Sequence, residues 1–358
     1  MTIYDELPAI YRIKRAQTDV DCIANEFYEA SLDLDPVLAT EHGRTGVETL
    51  FGDYSPAGEE AYAKLVKKTL KKLDKVIPID DTDLVTLDAM QERLTLTRQM
   101  RRAGLGRWQL NNIFSAPQQI RTSFDLMSRE NERDWAHIAG RLANVPGAID
   151  GFIQTLEAAR AEGKVSPRRQ VQIVIEQAEA YIADGGFFDA LAAEITAAAP
   201  AITEQAREGA QAAKDGYRAL ITYLRDTLLP EAPSKDAVGR ELYTLYSRES
   251  LGASIDLDET YAWGVQELER IITEQHTVAS EIEPGASIER AKELLDMDPV
   301  RALHGTEALQ EWMQTHADTA ADCCQTVANC GDRTGNFHYF SFQQCPGRNP
   351  SSAEQSLL

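Results

Sequence analysis

Histidine is the first residue type to test for chemistry, and the chain has six: His42, His137, His276, His304, His316 and His338. A helical zinc hydrolase needs two histidines one turn apart on one helix face, a glutamate beside the first as base, and a further protein ligand. None of the six is followed by glutamate, and no two lie four residues apart. The sequence also lacks a Gly-x-Ser-x-Gly elbow, a phosphate-cradling glycine loop and a dinucleotide fingerprint. Asp256, Asp258 and Glu259 lack the glycine and terminal glutamate of a calcium loop, so helix capping accounts for them better. Paired carboxylates meet in space rather than in sequence, so spacing does not locate such a pair. The expectation is a chain with no catalytic residue and no metal ligand of its own.

Two other groups of residues invite a binding reading. Tyr243, Tyr246, Tyr261 and Trp263 crowd one region and have the side chains to line a substrate channel, while the same spacing also fits core packing. Lys64, Lys67, Lys68, Lys71, Lys72 and Lys75 share one side of a helix, read here as a solvated face that pairs with acidic neighbours rather than as an anion site. Cysteines are uneven: Cys22 stands alone, and Cys323, Cys324, Cys330 and Cys345 fall in the last 36 residues. With His338, three of these (Cys324, Cys330, Cys345) have the donor types of a structural zinc site, but not the paired Cys-x-x-Cys spacing. A poorly ordered tail is the preferred reading of residues 323–358.

These residues sit in a helical framework. Aromatics make up only 7% of 358 residues, and alternating Val/Ile/Thr runs are scarce, so an all-α, elongated protein of about twelve helices is expected. A net charge of −21 argues against nucleic acid or an anionic membrane as partner. No stretch is apolar enough for a membrane span, and the first 21 residues lack the apolar core of a secretion signal, which points to the cytoplasm and to free thiols.

In chain order, Thr18 caps a helix over 18–34, Pro36 opens a short one, and Ser55-Pro56 opens a helix with the stripe Tyr62, Leu65, Val66, Leu70, Leu73. Thr82 is expected to cap the next, with Leu84, Leu87, Met90 and Leu94 inward. Helices follow over 116–129, 132–144 and 147–161, broken at Val145–Pro146, and then one opened by Ser166-Pro167 with Val171, Val174, Ile175, Ala178 and Ile182 inward. Residues 187–229, broken at Pro200, are expected as an outer arm of the bundle, and 230–235 as a linker. Beyond it come a helical hairpin over 236–283, capped at Asp258 and stopped at Gly252, with Tyr261, Val265, Leu268 and Ile272 on one face, and helices at 287–297 and 306–321, the latter with Leu309, Trp312 and Met313 inward. The domains expected are 1–229, 236–322 packed on it, and the tail.

The wording of the hairpin, LYSRESLGASIDLDETYAWGVQELERI over 245–271, resembles the bacterial domain-of-unknown-function 885 family, helical proteins regarded as zinc metallohydrolases. LDPVLATEHG over 34–43 and the Arg-Leu-Ala-Asn-Val-Pro and Glu-Gly-Lys segments within 136–164 support the resemblance. It runs from about residue 20 to about residue 322. Beyond that, only Asp332, Arg333, Arg348 and Glu354 are charged among 36 residues, and the His-Glu segment of the family does not follow. The resemblance therefore implies a shortened form: the N-terminal helical portion of a zinc-dependent peptidase or hydrolase, a channel wall for peptides, with zinc held only in full-length relatives. The alternative is a stand-alone helical binding or scaffolding protein, self-associating through exposed apolar helix faces.

Overall fold

A computed structural model describes residues 15–330, with side chains over 15–321. Every regular element among the described residues is helical. The chain divides into two units between Ile255 and Asp256.

The first unit opens with a small three-helix core. α1 (Asp19–Leu34) starts on a reciprocal cap: Thr18 Oγ1 accepts the Asp21 N–H at 3.1 Å, and the Asp21 carboxylate accepts the Thr18 N–H at 3.0 Å. After α2 (Pro36–Glu41), α3 (Pro56–Leu73) and α4 (Asp81–Arg102) pack with α1 around Val66, Leu70, Leu73 and Leu94, joined by Ile23, Phe27, Leu87 and Met90. Two expectations change here. Asp80, not Thr82, caps α4: it stands three residues before Asp83 in extended backbone, and its carboxylate accepts the Asp83 N–H at 2.8 Å; and Leu84, one turn in, faces solvent rather than the core.

The main core lies where α6 (Glu132–Ala161), α7 (Arg168–Ile182), α8 (Phe187–Ala198) and α9 (Thr203–Tyr223) meet, behind the short α5 (Ala116–Thr122). Phe124, Phe152, Phe188 and Tyr217 are fully buried there, and Tyr217 Oη donates to the Pro117 carbonyl at 2.6 Å. The proline break expected at Val145–Pro146 does not occur: α6 runs through it for 30 residues. Proline removes one backbone hydrogen bond, but Val145, Ala148 and Ile149 bury on either side of it and Pro146 itself seats against Gly216 of α9. Residues 187–229 are likewise no outer arm. α9, a π turn (Leu224–Leu228) and α10 (Leu229–Glu231) bring Ala206, Ala210, Ala213, Leu220, Leu224 and Leu228 into the centre of the core. Ser166 does not cap α7; its hydroxyl accepts the Leu110 N–H at 2.9 Å.

Residues 230–235 stay on the first unit, where the Pro233 carbonyl accepts the Arg168 N–H at 2.8 Å. α11 (Arg240–Leu251) follows and stops at Gly252, whose φ of 71° is the left-handed conformation that glycine tolerates best. The second unit contains α12 (Leu257–Ile282), α13 (Ile288–Met297) and α14 (Gly305–Cys330). Asp256, rather than Asp258, caps α12, accepting the N–H groups of Asp258 and Glu259 at 2.9 and 3.0 Å. α12 and α13 meet at Ala279 and Ala291, the only buried residues among those described in this unit. Leu309, Trp312 and Met313 of α14, expected inward, are exposed.

Candidate functional site

α11 is attached to α4 by charge rather than by apolar packing. Arg248 Nε lies 2.9 Å from Glu92 Oε1 and its second nitrogen pairs with the other oxygen, a two-pronged contact. The hydrogen bonds of this pair hold the Glu92 carboxyl below its ordinary range and the Arg248 guanidinium above its own. Arg93 Nη1 donates to the Glu249 carbonyl at 2.6 Å, and a Cβ on Gly252 would meet only the movable tip of Arg93, so glycine is favoured there by its φ rather than by space.

On this anchored helix Tyr246 is half-buried, with Gln109 donating to its hydroxyl; burial raises its phenol. Tyr243, one turn earlier, is exposed. Tyr261 and Trp263 belong to the second unit, 76% and 60% exposed. Residues two apart on a helix point to different sides, so these two do not converge. Tyr261 continues the stripe Val265, Leu268 and Ile272, all of it open to solvent. On the other side Arg270 pairs with Glu267 at 2.7 Å and Glu274 at 2.8 Å. α12 is thus a two-faced helix whose charged side is self-paired and whose apolar side has no partner along Tyr261–Ile272 among the described residues. α14 repeats the pattern with Leu309, Trp312 and Met313.

No three of the described His, Cys, Asp and Glu residues stand close enough to hold a metal ion. The described residues therefore do not fit a zinc ion. The zinc reading of Cys324, Cys330, His338 and Cys345 falls outside the described side chains, as does the reading of the tail beyond residue 330. Two surface depressions are each lined by a single helix, one by the polar side of α12 and one by Leu309, Met313 and Ala317 of α14, so neither is a cleft. No described helix is long and apolar enough to cross a membrane.

Sequence reading missed one site. Arg141 is 1% exposed, inside the core of the first unit, with no carboxylate among the described residues in ion-pair contact. Its Nη2 donates to Thr40 Oγ1 at 2.8 Å and its Nη1 to the Ser123 carbonyl at 3.3 Å; Nε has no partner, and the guanidinium lies 5.7 Å from the Phe51 ring centre. Burial lowers its pKa to about 10, against the opposing pull of Glu41 and Glu48. One turn earlier His137 Nδ1 stands 4.0 Å from Glu48. The signal was in the sequence: Arg141 occupies the phase of Ile138, Leu142, Val145 and Ile149, where the helical period calls for an apolar side chain.

A family model described as "Bacterial protein of unknown function (DUF885)" matches residues 36–330. The chain belongs to this family. The DUF885 match and the helix α14 both continue to Cys330, so the change of composition near residue 322 ends neither. Two solved structures share the fold. One, a "putative lipoprotein" from Colwellia psychrerythraea, matches at a TM-score of 0.65 and 15% identity, over 87% of this chain and 60% of that one. The other, a "putative lipoprotein of unknown function" from Shewanella oneidensis, matches at 0.59 and 14%, over 96% and 67%. The DUF885 chain thus spans less than two thirds of the Colwellia protein. No curated protein matches.

Proposed function

We propose that this DUF885 chain is the helical framework of a zinc-dependent peptidase or related hydrolase, one wall of a channel for extended peptides, and that by itself it neither holds the metal nor turns over substrate. The observation that carries this reading is the open apolar side of α12, a face built to be covered. Further support comes from the family resemblance and from the two solved structures of the same fold, which contain chain beyond the part matched. Tyr243 and Tyr246 in the first unit, and Tyr261 and Trp263 on different sides of α12 in the second, are the proposed peptide contacts, each within its own unit. Peptides are the proposed ligand, nucleic acid is not, and the cytoplasm is the proposed location. Elemental analysis of the purified chain is expected to find no stoichiometric zinc, and a peptide library to remain uncleaved; one zinc per chain with chelator-sensitive hydrolysis would overturn the reading.

The same open faces favour one second reading, a stand-alone binding or scaffolding protein that self-associates through α12 and α14. Light scattering across a dilution series separates the two. Association that disappears in the Leu268→Glu, Ile272→Glu variant supports the scaffold, whereas a monomer at all concentrations removes it.

A further inference from the structure

The end of the α3–α4 hairpin carries an apolar patch that no described residue covers. Ile77 and Ile79 are 79% and 75% exposed, and Leu84 and Val85 beside them face solvent too. Single exposed apolar residues are ordinary, but four within nine positions form a patch. The turn presenting them is fixed: the Ile79 N–H donates to Asp83 Oδ2 at 3.1 Å, and the Asp83 N–H to Asp80 Oδ1 at 2.8 Å.

The same carboxylate holds the start of the described chain. Asp83, fully buried, accepts the Thr18 hydroxyl at 2.7 Å and lies 3.2 Å from Arg15 Nη2. Arg15 also pairs with Asp80 at 3.0 Å and Asp21 at 2.7 Å. Arg15 and Ile79 therefore share one carboxylate, and the fourteen residues that precede Arg15 join it at the edge of the patch. Their sequence, MTIYDELPAIYRIK, is rich in large apolar side chains, and its Asp5 and Glu6 are opposite in sign to Lys75, two residues before Ile77. At about 3.3–3.6 Å per residue, the four residues nearest Arg15 reach roughly 13–14 Å, enough to bring Ile13 and Tyr11 across it, with Ile10 just beyond.

We propose that this patch is the docking surface for the chain's own residues 1–14, with Ile10, Tyr11 and Ile13 as the side chains that cover Ile77, Ile79, Leu84 and Val85. Contact is read by placing a photoreactive benzoylphenylalanine at position 11 of the full chain. Irradiation is expected to give an intramolecular crosslink to the peptide spanning 76–88; crosslinks elsewhere in the chain, or to a second chain, overturn the proposal. Energetics are read by melting. Deleting residues 2–13, which leaves the Arg15 clamp in place, and the double substitution Ile77→Ser, Ile79→Ser are each expected to lower the melting temperature by about 2–4 °C. Combined, they are expected to lower it no further, because they remove the same contact. Serines on a bare surface would leave the melting temperature unchanged or raise it, and that result, a neutral deletion, or losses that simply add would each sink the idea.

Discussion

Arg141 is a buried cation held by neutral acceptors. A guanidinium taken out of water without a paired carboxylate costs several kcal/mol, and two hydrogen bonds and a nearby ring return only part of it. Its position gives it a structural role: it ties α6 to Thr40 at the end of α2 and to the Ser123 carbonyl after α5, two short elements. Two substitutions separate charge from shape. Arg141→Ala leaves a void and strands the Ser123 carbonyl, while the Thr40 hydroxyl keeps its bond to the Pro36 carbonyl at 2.8 Å, and the change is expected to cost about 2–4 kcal/mol. Arg141→Met fills most of the space and removes the buried charge, and is expected to cost less than half as much. Urea denaturation of both variants measures the difference; equal losses would mean that the charge itself stabilises.

At the scale of elements, the seam between α6 and α9 sets the spacing of the main core. A Cβ added to Gly209 would stand 3.0 Å from both the Ala139 carbonyl oxygen and Leu142 Cβ, and one on Gly216 would stand 3.1 Å from Pro146 Cα. Gly147, on the exposed side of α6, has nothing within 4 Å. The same chemical change should therefore act with opposite sign at two places in one bundle. Gly209→Ala is expected to destabilise by about 1–3 kcal/mol through overpacking, and Gly147→Ala to stabilise by about 0.5–1 kcal/mol through helix propensity, both read from the urea midpoint. The seam also shows what sequence can and cannot disclose. Local signals placed most helix starts, because a cap such as Thr18 or Ser55 acts on N–H groups two or three residues away. Pro146 misled because its cost is local while its compensation, a glycine 70 residues later, is not. The helical stretch up to residue 229 was legible, but whether it lay at the rim or the centre depended on α6, α7 and α8 all reaching Tyr217, Leu220 and Leu224. At the candidate site, the stripe on α12 was legible and its exposure was not, because a period identifies the side that wants a partner without saying whether one is there.

Over the whole molecule, the two units differ in how much holds them. The first buries an extensive aromatic and aliphatic core across α6 to α9, whereas the described part of the second buries only Ala279 and Ala291. Most of a helix's stability in a protein comes from packing its apolar face, and α12 and α14 have little such packing among the described residues. Stability should accordingly be uneven. In dilute solution, amides of α12 and α14 are expected to exchange with solvent through local opening, orders of magnitude faster than those of α6 and α9, which exchange only through global unfolding. Coverage links this difference to function. If a partner or a second copy seats on Tyr261, Val265, Leu268 and Ile272, protection of α12 should rise with its concentration, by RT ln(1 + [L]/Kd), while protection of α6 stays constant. Hydrogen exchange followed by mass spectrometry, run over a concentration series, reads both arms in one experiment. Slow exchange in α12 equal to that of α6, at the lowest concentration and without any partner, would mean that the open face needs no cover, and the case for α12 as the surface through which this chain works would fall with it.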